Sequence, residues 1–375
     1  MKKLKIGLVL DDSLDVPDGV QQYVLTLGTW LSEQGHSVHY LVGNTERVDI
    51  PNVHSLSKNV RVHFNQNRMS IPLPADKSAI EDLLHTVHFD VLHIQMYYSP
   101  LLAGRIINGA PKRTAIVGTF HIVLASKFSE ILSRSARFVL RRSLSRFSEI
   151  VSVSQPAARL AKTSMGLDSS VVPNAVNLRI MRTGRKIKKY NDEIVTIVFL
   201  GRLVERKGAG LLLDAVGQLK RTDNIRVIIC GDGPLRSQLE LQAETLGISK
   251  IVEFTGFLDE KDKPHYLASA DIAVFPSTGG ESFGIVLVEA MAARAGVVLA
   301  GQNPGYATVM EGKSDVLVDP RDAHVFAKKL QNLIDDPEKR TELHDWQQQI
   351  VQQYDVTIVG QQILAMYDRA LHDKS

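Results

Sequence analysis

Apolar positions in this chain fall into short continuous runs separated by stretches of helical spacing. Ile6-Gly7-Leu8-Val9-Leu10 is the first run; residues 20–34 then repeat apolar side chains at helical intervals and stop at Gly35, and 37–42 form a second run. A strand, a helix and a strand in that order make a βαβ unit. Runs at 90–94, 114–120 and 149–153 continue the series. Because the apolar residues in these runs are largely continuous, the runs predict parallel strands covered on both faces. A second series begins near Ile194, with strands expected at 195–200, 226–230, 251–254, 272–275 and 297–299 and helices at 210–220, 235–247 and 282–293. The pattern predicts an α/β chain of two doubly wound domains in tandem, 1–173 and 174–355. Ligands of open parallel sheets sit at the carboxyl ends of strands, so two such domains facing one another predict a cleft that holds two substrates.

Composition narrows the class. The 375 residues are 44% hydrophobic and 23% charged, as expected of a globular protein. A single cysteine, Cys230, excludes a disulfide framework and a cysteine-based zinc site. No apolar run approaches the roughly 18 residues that cross a bilayer. The basic start, Met1-Lys2-Lys3-Leu4-Lys5, precedes an apolar run that ends at Asp11-Asp12, which reads as a strand and not as a leader. A cytoplasmic protein is expected. Net charge is +3, with the basic excess in the first 173 residues. That asymmetry fits either an anionic partner on the first half or a solvated basic face. Residues 133–147 carry Arg134, Arg137, Arg141, Arg142 and Arg146 and no acid, interleaved with Phe138, Val139, Leu140, Leu144 and Phe147. Such a helix suits an anionic membrane surface or its own domain. No aromatic platform or known module points to nucleic acid.

Three loops carry candidate chemistry. Gly279-Gly280-Glu281-Ser282-Phe283-Gly284-Ile285-Val286 opens a helix whose first-turn amides can hold an anion. Glu289 follows Glu281 by eight residues, so on a continuous helix the two carboxylates share a face about 12 Å apart. That is too wide for a glycosidase pair. It suits a sugar and a ribose at the two ends of one ligand, although a capped helix with two solvated glutamates has the same letters. Gly201-Arg202-Leu203-Val204-Glu205-Arg206-Lys207-Gly208 follows a strand, and Arg202 and Lys207 can neutralise a diphosphate or simply decorate a basic loop. Asp15-Val16-Pro17-Asp18-Gly19-Val20-Gln21 offers a close backbone approach at Gly19 but matches neither G-x-G-x-x-G nor a P-loop, which disfavours dehydrogenases and P-loop NTPases. Thr119-Phe120-His121 ends a strand. With no H-E-x-x-H and no D-x-D, no protein metal site is expected.

Together these motifs resemble the retaining nucleotide-sugar glycosyltransferases of family four, which have the GT-B fold of two Rossmann-like domains facing across a cleft. Within the family the pattern is most similar to the branch that mannosylates phosphatidylinositol. Asp15 to Gln21, Phe89-Asp90-Val91-Leu92-His93 and Gly279 to Met291 carry the likeness. The resemblance implies a sugar-nucleotide donor, GDP-mannose first, with a hexose passed to phosphatidylinositol or a similar anionic lipid by a peripheral enzyme on the inner face of the membrane. UDP-glucose with diacylglycerol or a soluble acceptor comes second, and a catalytically silent nucleotide-sugar-binding protein is the reading from another class. No resident cofactor is implied; a divalent ion travelling with the donor is compatible with the likeness. It further implies that Arg202 and Lys207 hold the diphosphate near Gly19, and that Glu281, Phe283, Gly284, Ile285 and Val286 hold sugar and phosphate. Glu289 would bind the ribose, Leu258 and Lys263 would lie by the base, and His121 would touch the donor sugar. Gln21, Phe64, Asn65 and Arg68 would form the acceptor pocket, and residues 356–375 would form a helix returning to the first domain. The chain departs from the family at Asp18, at Asn174-Ala175-Val176-Asn177 and at Ala293-Arg294-Ala295-Gly296.

Overall fold

The computed structural model describes residues 3–15, 18–64, 67–73, 75–96, 98–123 and 140–374, with backbone alone over 59–73. The chain divides into two compact units, one built from its first part to Ala175 together with Val356 onward, the other from Val176–Asp355.

The first unit is a seven-stranded parallel sheet in the order β3-β2-β1-β6-β7-β8-β9. Its strands are β1 Lys5–Leu10, β2 Ser37–Val42, β3 Val53–Ser55, β6 Val91–Met96, β7 Ala115–Phe120, β8 Phe147–Ser152 and β9 Ser170–Val171. β6 and β7 are buried at every position, as a sheet covered on both faces requires. A separate antiparallel hairpin, β4 Lys58–Phe64 and β5 Asn67–Leu73, interrupts the βα series. The Gly19–Glu33 helix buries Tyr23, Val24, Leu27 and Leu31 at helical spacing, and the last helix, Val356–His372, buries Val356, Val359, Ile363, Leu364 and Tyr367 in the same core.

The second unit is a six-stranded parallel sheet in the order β12-β11-β10-β13-β14-β15. Its strands are β10 Val195–Leu200, β11 Ile225–Cys230, β12 Val252–Gly256, β13 Ile272–Phe275, β14 Val297–Gly301 and β15 Leu317–Val318. In each sheet the strand order reverses beside the first strand, between β1 and β6 and between β10 and β13. Loops leaving the two strands at such a switch point diverge, and the gap between them is where ligands of this architecture bind.

Candidate functional site

At the second switch point the loops after β10 and β13 meet through one carboxylate oxygen. Glu281 Oε1 accepts from Lys207 Nζ at 2.8 Å, from Arg206 Nη1 at 2.8 Å and from Ser277 Oγ at 2.9 Å. The Arg206 carbonyl in turn accepts from the Thr278 amide at 2.9 Å and lies 3.0 Å from Ser277 Oγ, whose single proton serves this carbonyl or Glu281 in turn, so backbone and side chains tie the same two loops. The Glu281 side chain is only 13% exposed. Burial opposes its charge, but Lys207 and then Arg206 outweigh that and hold the carboxyl below its ordinary 4.5. A buried ion triad of this kind loses several kcal/mol when one partner is removed, because a charge is left unpaired. Arg202, at the end of β10, forms no ion pair among the described residues and remains a free cation beside the triad's loop.

The helix after this loop starts later than its apolar pattern predicts. It spans Ile285–Ala292, with Gly284 at its N-cap in a left-handed conformation, φ 114°. Glu281 therefore lies on a loop, and the expectation that Glu281 and Glu289 share one continuous helical face is corrected. The chain turns at Gly280, φ 71°, and again at Gly284, which frees the amides around Phe283, Gly284, Ile285 and Val286 from helical pairing. Glu289 sits inside the helix and is buried. Lys263 Nζ reaches its Oε1 at 3.1 Å and Glu260 Oε2 at 2.8 Å. Burial opposes the Lys263 charge, but Glu289 and Glu260 prevail and raise the ammonium above its ordinary 10.5. Lys263 was expected beside a nucleobase; its ammonium is instead turned inward onto Glu289. Leu258 is half-buried in the loop leaving β12.

In the first unit, His121 follows β7 and is buried. Its amide donates to the Met96 carbonyl at 3.2 Å, its Nε2 meets Gln95 Oε1 at 2.8 Å, and the Tyr23 ring stands edge-on at 5.0 Å. Burial pushes its pKa down to about 3, so the ring is neutral. Gly19 is exposed as the first residue of its helix, and Gln21 is buried two residues on. Phe64 and Arg68 lie on the β4–β5 hairpin, where Phe64 pairs with Asn67 and Arg68 with His63; Asn65 lies outside the described residues. Of the five arginines, Arg134 and Arg137 lie outside the described residues and Arg141 and Arg142 are exposed. Arg146 turns inward, donating to the carbonyls of Ile107, Ala110 and Pro111 at 3.1 Å. Those carbonyls close the Ala103–Gly109 helix, so Arg146 leaves the proposed membrane face.

Three participants escaped sequence reasoning. Arg206 stands in the same basic loop as Arg202 and Lys207, and nothing in the letters sets it apart as the residue that reaches Glu281. Ser277 and Asn303 carry none: Asn303 Nδ2 donates to the Ser277 carbonyl at 3.0 Å and its Oδ1 accepts from Tyr306 N at 3.0 Å, steadying the loop from β14. Among the described residues, no group of three or more His, Cys, Asp or Glu could hold a metal ion, and no helix is long and apolar enough to cross a membrane.

Two parallel sheets with these switch-point loops are the architecture of GT-B glycosyltransferases. A glycosyltransferase from Rickettsia africae superposes with a TM-score of 0.77 at 16% identity, over 99% of both chains. Anabaena HepE in complex with UDP and glucose gives 0.73 at 20% identity, over 96% of this chain and 98% of that one. Residues 17–180 match the family described as Glycosyltransferase Family 4 and residues 181–349 the one described as Glycosyl transferases group 1. The phosphatidyl-myo-inositol mannosyltransferase of Mycolicibacterium smegmatis is 31% identical over 97% of this chain and 94% of its own length. The chain belongs to family 4 of the glycosyltransferases.

Proposed function

We propose that this chain is a retaining hexosyltransferase that moves mannose from GDP-mannose to phosphatidylinositol at the inner face of the cell membrane. The second unit would hold the nucleotide sugar and the first the acceptor. The observation that carries the reading is the gathering of Lys207, Arg206 and Ser277 on one Glu281 oxygen, beside the open amides of the Ile285–Ala292 helix. A cationic, partly buried pocket with fixed N–H donors suits a departing diphosphate. The name and near-full-length identity of the M. smegmatis relative support mannose and the inositol lipid.

In this reading Arg202 and Lys207 hold the diphosphate with the helix amides. Glu281, ionised, accepts hydrogen bonds from sugar hydroxyls, and Glu289 from the ribose. As the bond from C1 to the β-phosphate oxygen breaks, charge builds on the phosphate and C1 becomes oxocarbenium-like. The acceptor hydroxyl attacks from the face the phosphate is leaving, its oxygen bonds to C1, and its proton passes to that phosphate. No carboxylate nucleophile is needed. Arg141 and Arg142 would face anionic headgroups.

The test is transfer from labelled GDP-mannose to phosphatidylinositol vesicles, run beside UDP-glucose with diacylglycerol. An α-linked mannolipid is expected. Lys207→Ala and Glu281→Ala are each expected to lower turnover by about 100-fold or more with the fold intact. Transfer from UDP-glucose alone would replace donor and acceptor, and binding without transfer to any acceptor would make the chain a binding protein.

A further inference from the structure

Two cations end on one carboxylate oxygen in the second unit, and only Lys207 has a part in the chemistry proposed above. Glu281 Oε1 accepts from Lys207 Nζ and from Arg206 Nη1, both at 2.8 Å. The three side chains are sheltered, at 26% exposed for Arg206, 21% for Lys207 and 13% for Glu281, so solvent screens their charges weakly. A Lys207–Glu281 pair by itself would be neutral and would offer an anion no net attraction. With Arg206 the three groups carry one positive charge in excess.

The two cations differ in what they have left to give. An ammonium has three N–H donors, so among the described residues Lys207 keeps two after its bond to Glu281. Arg206 is built into the loop after β13 by backbone and by side chain. Its carbonyl accepts from the Thr278 amide at 2.9 Å, and its side chain packs at Gly280, where a Cβ would lie 3.7 Å from Arg206 Cδ. That placement suits Arg206 to hold Glu281 and cancel its charge, and it leaves the neighbouring ammonium to meet a ligand.

We propose that Arg206 is a positioning residue and the counter-charge of Glu281, which leaves the charge and the spare N–H groups of Lys207 for the diphosphate of a sugar nucleotide. The diphosphate part of this rests on the donor reading above. Arg206 itself makes no substrate contact in this scheme. Calorimetric titration of the full chain with GDP, and with UDP in parallel, separates charge from shape, since neither ligand carries the sugar that Glu281 would meet. Arg206→Gln keeps an N–H donor and drops the charge, and should weaken binding about tenfold or more. Arg206→Lys should restore it to within about threefold. In Arg206→Gln combined with Glu281→Gln, two opposite charges are removed and one excess positive charge remains, so affinity should return to within about threefold of wild type. A loop merely braced by Arg206 would not recover when a second tie is cut. Glu281→Gln alone, with two excess charges, should bind more tightly than wild type, and it tests the same charge account should Arg206→Gln fail to fold. Unchanged affinity in Arg206→Gln, a double variant as weak as the single, or weakened binding in Glu281→Gln would overturn the assignment and leave the donor reading in place. A wild type that binds neither nucleotide would overturn both. One that binds UDP alone would replace the donor and leave the Arg206 role to stand on the UDP titrations.

Discussion

Asp11 shows how a single side chain at the first switch point couples the site to pH. Directly after β1, its carboxylate accepts from the amides of Ser99 and Ala103 and so fastens the loop after β6 to the end of β1. Burial raises its pKa to about 6, against those two bonds, with Asp12 adding to the rise. A carboxyl that holds its proton more tightly when folded favours the fold below about pH 4 and loses that favour as pH climbs through 6. Two units correspond to about 3 kcal/mol. The stacked pair His39 and His54, joined at 3.0 Å, has the opposite sign: burial lowers both rings below 6.5, so stability is lost as pH falls through that value. Asp11→Asn isolates the first effect. The variant should melt higher than wild type at pH 8, with the advantage shrinking or reversing at pH 5. Thermal unfolding at the two pH values measures it, and an offset that ignores pH would remove the role given to Asp11. Side chains of this kind were the least legible from sequence. Asp11-Asp12 read only as a strand end, because its meaning lies in which amides the fold sets opposite the carboxylate.

Elements were more legible than residues, since strand and helix leave a period in the letters. Every long strand of both sheets was expected within a residue or two of its place, because apolar runs closed by glycine mark buried parallel strands. The helix starts at Ile285 and not at Ser282, because Phe283 extends the apolar spacing upstream and only the backbone turn at Gly284 cuts it short. The β4–β5 hairpin was missed although Val60, Val62 and Phe64 alternate with polar residues, a two-residue period foreign to the surrounding βα series. The site depends on element packing as much as on its charges. Gly305 opens the Pro304–Val309 helix, and a Cβ there would lie 2.1 Å from the Glu281 carbonyl and 2.9 Å from the Phe283 amide. Both neighbours are backbone, so the loop bearing Glu281 must move. Gly305→Ala should cost about 1–3 kcal/mol and weaken sugar-nucleotide affinity tenfold or more. Gly279→Ala, with nothing within 4 Å of its Cβ, serves as the control on the same loop and should bind as wild type. Calorimetric titration of both variants decides, and equal affinities would show that the loop's position is immaterial to binding.

At the scale of the whole molecule, the first unit is completed only by the end of the chain. Its core takes Leu4, Ile6, Leu8, Tyr23, Leu27 and Trp30 from the first part and Val359, Ile363, Met366 and Tyr367 from the Val356–His372 helix. Tyr367 also reaches His93 Nδ1 at 2.7 Å, and His93 Nε2 meets Thr119 at 2.6 Å, so the last helix is wired to the strands that carry His121. Four or more large buried side chains, at about 1.5–3 kcal/mol each, approach the total stability of a typical domain. The helix fits tightly at Gly360, where a Cβ would meet the Trp30 ring, and an indole walled in by its own core has little room to yield. Gly360→Val should therefore lift the helix from the sheet and lower the melting point of the first unit by about 2–10 °C. The chain's two tryptophans make this measurable, because Trp30 belongs to the first unit and Trp346 to the second. In a Trp346→Phe background, Trp30 emission should shift to the red at a lower temperature once Gly360 is replaced. In a Trp30→Phe background, Trp346 should report an unmoved transition, provided the second unit folds on its own core. A parallel drop at both tryptophans would mean that the two units unfold as one, and the last helix would then be a fastening for the whole chain.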